Sequence, residues 1–383
     1  MHHRPFKKIA IVTPYYYPLF GGVQEYVYHL KKEYKKLGYL TRVITGHFGR
    51  KKSKDEDEVL RFGRGFPVTI NGSTGRILLM SGRNRVKEML EKYDFDIIHF
   101  QEPFVPFLSH HILKYSKAVH IATFHASFDS NLFYRLGTNF LTPLWDKLHG
   151  KIAVSPSAES SVTKYFKGDV EIIPNGVDTM RFNPKNPKIK KYVDGKTNIL
   201  FTGRVEKRKG LTYLLQAYAR LKPKYPDTRI IVVGRGPLLK ELHKYVRDNH
   251  LHDVHFEGFV PVKELPNYYS TADIYCSPAL FGESFGIVLL EAMANAVPVV
   301  AFNISGYNDV VSNMDDGLLA EPRSVHDLQE KLELLIKKPE LRAELGSRGL
   351  AKARRYTWEK IARQNINFYN QIWDKQQTAG GKE

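Results

Sequence analysis

The chain has 383 residues, more than one ordinary core accommodates, and its 42% apolar and 26% charged content is that of a soluble protein with two domains. A single cysteine, Cys276, excludes an intramolecular disulfide and points to a reducing compartment. The net charge of +18 favours an anionic partner: nucleic acid, an acidic membrane surface or a phosphorylated substrate.

The first apolar run, Ile9 to Val12, is too short to span a membrane and lacks the features of a signal peptide, so the expected location is the cytoplasm. Lys8 to Thr13 reads as a buried strand, broken by Pro14 and Pro18. Gly21-Gly22 then opens a helix in which Val23, Val27, Leu30, Tyr34 and Leu37 recur at helical spacing. Leu40 to Thr45 is a second strand, and Lys51 to Glu58 a charged loop. A helix over Arg83 to Tyr93 precedes the strands Asp96 to Phe100, Val119 to Phe124 and Lys151 to Ser155. Strands alternating with helices, with few hairpin signals, predict a mostly parallel α/β sheet.

The polar stretch Asn183 to Asp194 reads as an interdomain linker. A second alternating series begins at Thr197, and a last helix, Trp358 to Trp373, sets Trp358, Ala362, Ile366, Tyr369 and Trp373 on one face. The expected division is an N-terminal domain over 1–190, a C-terminal domain over 191–357, and a helix and polar tail over 358–383 that return to the N-terminal domain. Two such doubly wound domains facing each other across a cleft would bind ligands at the carboxyl ends of their strands.

The most informative string is Ser277 to Ala294. A strand ends at Ser277, a glycine-containing loop follows, and a helix is expected from about Ser284. Free N–H groups at such a helix start bind phosphate oxygens. Glu283 would lie just before that helix and Glu291 about two turns inside it. One carboxylate can then meet the sugar of a donor and the other its ribose hydroxyls. The alternative is an acidic helix start favoured by the helix dipole.

Glu283 to Glu291 resembles the E-x7-E signature of the family-four retaining glycosyltransferases, and Ala294 to Val300 resembles the strand that follows it. The resemblance extends to Gly21-Gly22-Val23-Gln24, Thr123-Phe124-His125, Pro174 to Asp178, Phe201 to Arg204 with Lys209-Gly210, and Val233 to Gly236. Within that family the chain is most similar to the phosphatidylinositol mannosyltransferases, notably at Gly282 to Glu291 and Asn71-Gly72-Ser73. The resemblance implies the GT-B fold, two Rossmann-like domains, and transfer of a sugar with retention from a nucleotide diphosphate sugar. It implies catalytic roles for His125, Arg204, Lys209 and Glu283. Donor contacts are expected from Gly21, Gly22, Arg204, Lys209, Gly234, Val260, Glu283, Ser284, Phe285, Gly286, Ile287 and Glu291. Acceptor contacts are expected from Gln24, Asn71, Ser73 and Arg76, and contact with an anionic phospholipid membrane from Arg83, Arg85 and Lys87.

Diphosphate departure concentrates negative charge, which Arg204 and Lys209 can stabilise. No Asp-x-Asp lies on a suitable strand end, so no metal ion or other cofactor is expected. Ile70 and Phe128-Asp129-Ser130 depart from that group's pattern, which carries a Tyr before Asn-Gly-Ser and a Lys shortly after the histidine. The implied reaction moves mannose from GDP-mannose to a membrane lipid such as phosphatidylinositol, with the enzyme peripheral to the inner face of the cell membrane. The alternatives are a UDP-sugar-dependent transferase acting on diacylglycerol or a soluble sugar, and a non-catalytic nucleotide-sugar-binding protein. A nucleic-acid partner is not expected, since no recognition module or aromatic stacking motif is present. A dehydrogenase is equally disfavoured, since no G-x-G-x-x-G follows the first strand.

Overall fold

The computed structural model describes residues 5–14, 16–18, 21–47, 56–70, 73–79, 82–128 and 131–380. They form two units, one of Met1–Asn175 with Trp358–Glu383 and one of Gly176–Thr357.

In the first unit the elements run β1 (Lys8–Val12), α1 (Gly22–Lys36), β2 (Leu40–His47), β3 (Val59–Ile70), β4 (Ser73–Leu79), α2 (Arg83–Tyr93), β5 (Ile97–Gln101), α3 (Leu108–Tyr115), β6 (Val119–Phe124), α4 (Leu132–Trp145), β7 (Gly150–Ala153), α5 (Pro156–Thr163) and β8 (Glu171–Ile172). The sheet order is β4-β3-β2-β1-β5-β6-β7-β8. All pairings are parallel except β3 with β4, an antiparallel hairpin in which Ile70 pairs with Ser73. Successive β1 side chains point to opposite faces, as strand geometry requires. Ala10 and Val12 enter a core with Phe100, Phe104, Phe124 and Trp145. Ile9 and Ile11 enter another with Tyr26, Leu30 and the helix Trp358–Gly380, which contributes Trp358, Ile361, Ala362, Ile366, Tyr369 and Ile372. The face expected of this helix is the one it buries, except that Trp373 is only partly covered.

The second unit runs β9 (Thr197–Thr202), α6 (Leu211–Leu221), β10 (Thr228–Val233), α7 (Leu239–Asp248), β11 (Val254–Gly258), α8 (Leu265–Thr271), β12 (Ile274–Ser277), α9 (Ile287–Ala294), β13 (Val299–Phe302), β14 (Leu318–Ala320), α10 (Val325–Lys337) and α11 (Pro339–Ala353). Its sheet, β11-β10-β9-β12-β13-β14, is wholly parallel. In each unit the strand order reverses beside the first strand, between β1 and β5 and between β9 and β12. Connections leave these neighbours in opposite directions, so a crevice opens beyond their carboxyl ends.

Two expectations need correction. The division falls between Asn175 and Gly176, not at 190, because the supposed linker is tied into the second unit. Ile189 N–H donates to Thr271 Oγ1 at 2.8 Å, Arg181 Nη2 donates to the Val262 carbonyl at 2.7 Å, and Tyr192 is buried. The helix after Ser277 starts at Ile287 rather than near Ser284. Gly286 stands at φ +81°, a left-handed conformation that ends any helix attempted before it. A Cβ there would meet the Tyr307 ring at 2.8 Å.

Candidate active site

In the second unit the loop after β9 folds into a short 3-10 turn, Lys207–Lys209, closed by Gly210 at φ +67°. A Cβ on Gly210 would lie 1.8 Å from the Pro278 carbonyl oxygen, so only glycine lets this loop meet the one after β12. That approach brings Lys209 to Glu283: Nζ donates to Oε1 at 2.5 Å. Arg208 Nη1 donates to the same oxygen at 2.8 Å and to the Gly282 carbonyl at 3.2 Å. Glu206 pairs with Arg208 Nε at 2.6 Å, an ion pair whose N–H is not aimed at the oxygen, and with Arg204 Nε at 3.3 Å. Lys209 is 13% exposed and Arg204 51%, so Lys209 is held and Arg204 is largely open to solvent. Cations and carboxylates thus alternate along one loop edge, a setting suited to phosphate and hydroxyl groups together.

Because α9 starts late, Glu291 lies just past its first turn. Its Oε2 accepts from Tyr269 OH at 2.8 Å. That hydroxyl lies 2.8 Å from Thr202 Oγ1, which lies 2.9 Å from Tyr275 OH. Burial first, then the Glu291 charge, holds the Tyr269 phenol well above its usual range, so it remains a donor. Phe285 is buried, Ser284 and Ile287 are partly exposed, and Gly234 and Val260 follow the neighbouring strands β10 and β11.

In the first unit α1 starts after β1 at Gly21-Gly22, and the Gln24 amide lies against this start: a Cβ on Gly21 would meet Gln24 Oε1 at 2.7 Å. His125 follows β6. Its Nε2 lies 2.7 Å from Gln101 Oε1, and its backbone N–H donates to Glu102 Oε1 at 2.6 Å. With Gln101 Oε1 as acceptor, Nε2 carries the proton. The Tyr26 ring meets the imidazole edge to face at 4.7 Å. His125 as a residue is only partly covered, yet burial of its imidazole brings the pKa down to about 3, so it is neutral at pH 7. Beneath it, Thr123 Oγ1 lies 2.6 Å from His99 Nε2, His99 Nδ1 2.6 Å from Tyr369 OH, and Tyr369 OH 2.8 Å from Tyr34 OH.

The acceptor-side residues come from different elements of the first unit. Gln24 is buried in the first turn of α1. Asn71 lies outside the described residues. Ser73 and Arg76 lie on the edge strand β4, opposite Ile70 and Pro67 and five positions from β6 in the sheet order. The last pairing of β2 with β3 is His47 with Arg64, so the hairpin outruns the parallel sheet at its carboxyl edge.

On α2, Val86 and Met89 face the core, and the expected membrane cations rest on aromatic rings. Arg83 and Lys87 lie over Tyr115 at 5.4 and 4.8 Å, and Arg85 over Phe62 at 6.0 Å. Sequence reasoning missed a feature on α4, where Leu132, Phe133, Leu136 and Phe140 are 52% to 75% exposed. It also missed Arg208, Gln101, Glu102 and Tyr269. Arg208 had a signal, its place beside Lys209. Gln101 and Glu102 had a weaker one, polar residues ending an apolar strand.

Residues 20–181 match the family described as Glycosyltransferase Family 4, and residues 182–352 the family described as Glycosyl transferases group 1. The chain is 33% identical, over 95% of its length and 94% of the relative's, to the phosphatidyl-myo-inositol mannosyltransferase of Mycolicibacterium smegmatis. It is 26% identical, over 87% of its length and 79% of the relative's, to the alpha-monoglucosyldiacylglycerol synthase of Streptococcus pneumoniae. Among solved structures, a glycosyltransferase from Rickettsia africae superposes with a TM-score of 0.78 at 20% identity, over 96% of this chain and 99% of that one. Anabaena HepE in complex with UDP and glucose gives 0.77 at 20% identity, over 95% and 100%. The chain therefore belongs to the family-four glycosyltransferases and has their GT-B fold. No helix among the described residues is long and apolar enough to cross a membrane.

Proposed function

We propose that the chain is a retaining glycosyltransferase that moves mannose from GDP-mannose to a lipid such as phosphatidylinositol, without a metal ion in the chemistry. The observation that carries this reading is the Lys209–Arg208–Glu283 cluster at the carboxyl ends of β9 and β12. Fixed cations there offset the charge that builds on a departing nucleoside diphosphate, with Arg204 joining from the same loop. Glu283 meets sugar hydroxyls and Glu291 ribose hydroxyls. His125, neutral at pH 7, can approach a sugar ring gaining positive charge without repelling it. In a front-face displacement the bond to the phosphate breaks on the face where the new glycosidic bond forms. The acceptor proton passes to the departing phosphate oxygen.

The lipid acceptor is supported by the relatives' names and by the surface of the first unit. The cations of α2 and the apolar face of α4 suit an anionic bilayer, which would hold the protein peripherally at the inner face of the cell membrane. A second reading, a UDP-sugar transferred to diacylglycerol, is favoured by the likeness to the pneumococcal synthase and by Ile70 and Phe128 at acceptor-side positions.

The test is a screen of GDP-mannose against UDP-glucose and other nucleotide sugars, by turnover and by binding, with EDTA, with and without phosphatidylinositol vesicles. The proposal expects EDTA-resistant GDP-mannose turnover that rises with phosphatidylinositol and a product with retained anomeric configuration by NMR. Preference for a UDP-sugar or indifference to the lipid overturns the donor or acceptor assignment. Binding without turnover of any donor overturns the enzyme reading.

A further inference from the structure

Two consecutive residues at the end of β5 grip the His125 segment from different sides. Gln101 Oε1 takes the ring at Nε2, 2.7 Å away. Glu102 Oε1 takes the backbone, accepting from the N–H of His125 at 2.6 Å and of Ala126 at 3.0 Å. The corner delivering that carboxylate is itself fixed: Glu102 N–H donates to the Thr123 carbonyl at 3.0 Å and its carbonyl accepts from Val105 N–H at 3.1 Å. Glu102 stands at φ +51°, in the left-handed region that disfavours any residue with a Cβ. Glycine or asparagine would adopt this turn more readily, so the glutamate is explained by the work of its side chain.

Among the described residues, the groups facing the carboxylate are the two amides from the segment after β6 and the Tyr134 phenol from α4, whose ionisation burial and the Glu102 charge both oppose. Among the described residues no Lys or Arg forms an ion pair with Glu102. Burial raises its pKa to about 6, and the two amide bonds counter that only in part.

We propose that Glu102 is a positioning residue: its charged carboxylate fixes the backbone at His125 and Ala126, orients the imidazole for transfer, and makes turnover depend on that charge. The proposal rests on the transferase reading for its kinetic consequence and on geometry alone for its grip on the loop. A protonated acid is a weaker acceptor and adds an O–H that needs a partner of its own. Below about pH 6 the grip therefore loosens and transfer slows.

The test uses the full chain, following the His125 and Ala126 amide resonances and kcat from pH 5 to 8 in the wild type, Glu102→Gln and Glu102→Asp. In the wild type both amides should move downfield as pH rises, with a common midpoint near pH 6, and kcat should fall about tenfold per pH unit below it. In Glu102→Gln the amides should stay flat, kcat should drop at least about tenfold, the pH limb should vanish, and the donor KM should hold within about twofold. A merely structural role would lower Tm and leave the limb in place, which refutes the proposal, as would wild-type amides that do not titrate. Should Glu102→Gln fail to fold, Glu102→Asp decides: a retained limb with reduced kcat supports the proposal, and unchanged kcat without the limb overturns it. If no donor is turned over, the transferase reading fails on its own and the amide titration alone judges the grip.

Discussion

Replacing Lys209 with alanine isolates the electrostatic term in the proposed transfer. Lys209 Nζ sits 2.5 Å from Glu283 Oε1, with Arg208 on the same oxygen at 2.8 Å, so the variant leaves Glu283 with one cation and the local fold should survive. Losing one of two partners of a mostly covered carboxylate costs about 1 kcal/mol of stability. The kinetic cost is larger. A unit charge about 4 Å from a phosphate oxygen is worth about 4 kcal/mol at an effective dielectric constant of about 20. If roughly half a unit of charge develops as the sugar–phosphate bond breaks, about 2 kcal/mol of that acts on the barrier, a loss of about thirtyfold in kcat/KM. Initial rates against donor concentration, with thermal melts alongside, measure both quantities. A Lys209→Ala enzyme with unchanged Tm and kcat/KM within about threefold of wild type would refute the reasoning, because the fixed charge would then not be where the phosphate charge develops.

Two further outcomes follow from the first unit. Tyr369→Phe removes the hydroxyl between Tyr34 and His99, all three buried, and should cost about 1–3 kcal/mol by urea unfolding; a loss under about 0.5 kcal/mol would mean the contacts are not maintained in solution. Leu136→Glu combined with Phe140→Glu alters side chains 75% and 70% exposed, so Tm should hold within about 2 °C while cosedimentation with anionic vesicles falls at least about tenfold. Unchanged vesicle binding would remove α4 from the membrane reading.

Much of the fold was readable because local and global preferences agree. KIAIV and TNILF are apolar runs bounded by turn residues, and each became a central parallel strand. The loop carrying Glu283 could be located because its pattern spans a strand end, a glycine and a helix. The rest is less legible. Asn71-Gly72, between the strands of the β3–β4 hairpin, is a strong two-residue hairpin signal, but it says nothing of which parallel strand the hairpin joins. The helix start at Ile287 depends on the backbone of Gly286, and the residues after Asn175 join the second unit through contacts such as Arg181 with Val262. Neither is written in periodicity. Arg208 and Glu102 act through partners 75 and 23 residues away, and a pairing across such a span exists only once sheet order is known.

The first unit is interrupted by the second in the chain, and its closing helix is made only after the whole of that second unit. During synthesis the strands β1 to β8 leave the ribosome without Ile361, Ile366 and Tyr369 to cover the face bearing Ile9 and Ile11. The intervening unit has every one of its strands in hand before Trp358 is added, and translating it takes on the order of 10–40 s at about 5–20 residues per second. The later-made half can thus be complete while the earlier one still shows an apolar face. A stop codon within the helix Trp358–Gly380 would injure the earlier-made unit rather than the later one, and that waiting face is where a chaperone would be expected to bind the nascent chain.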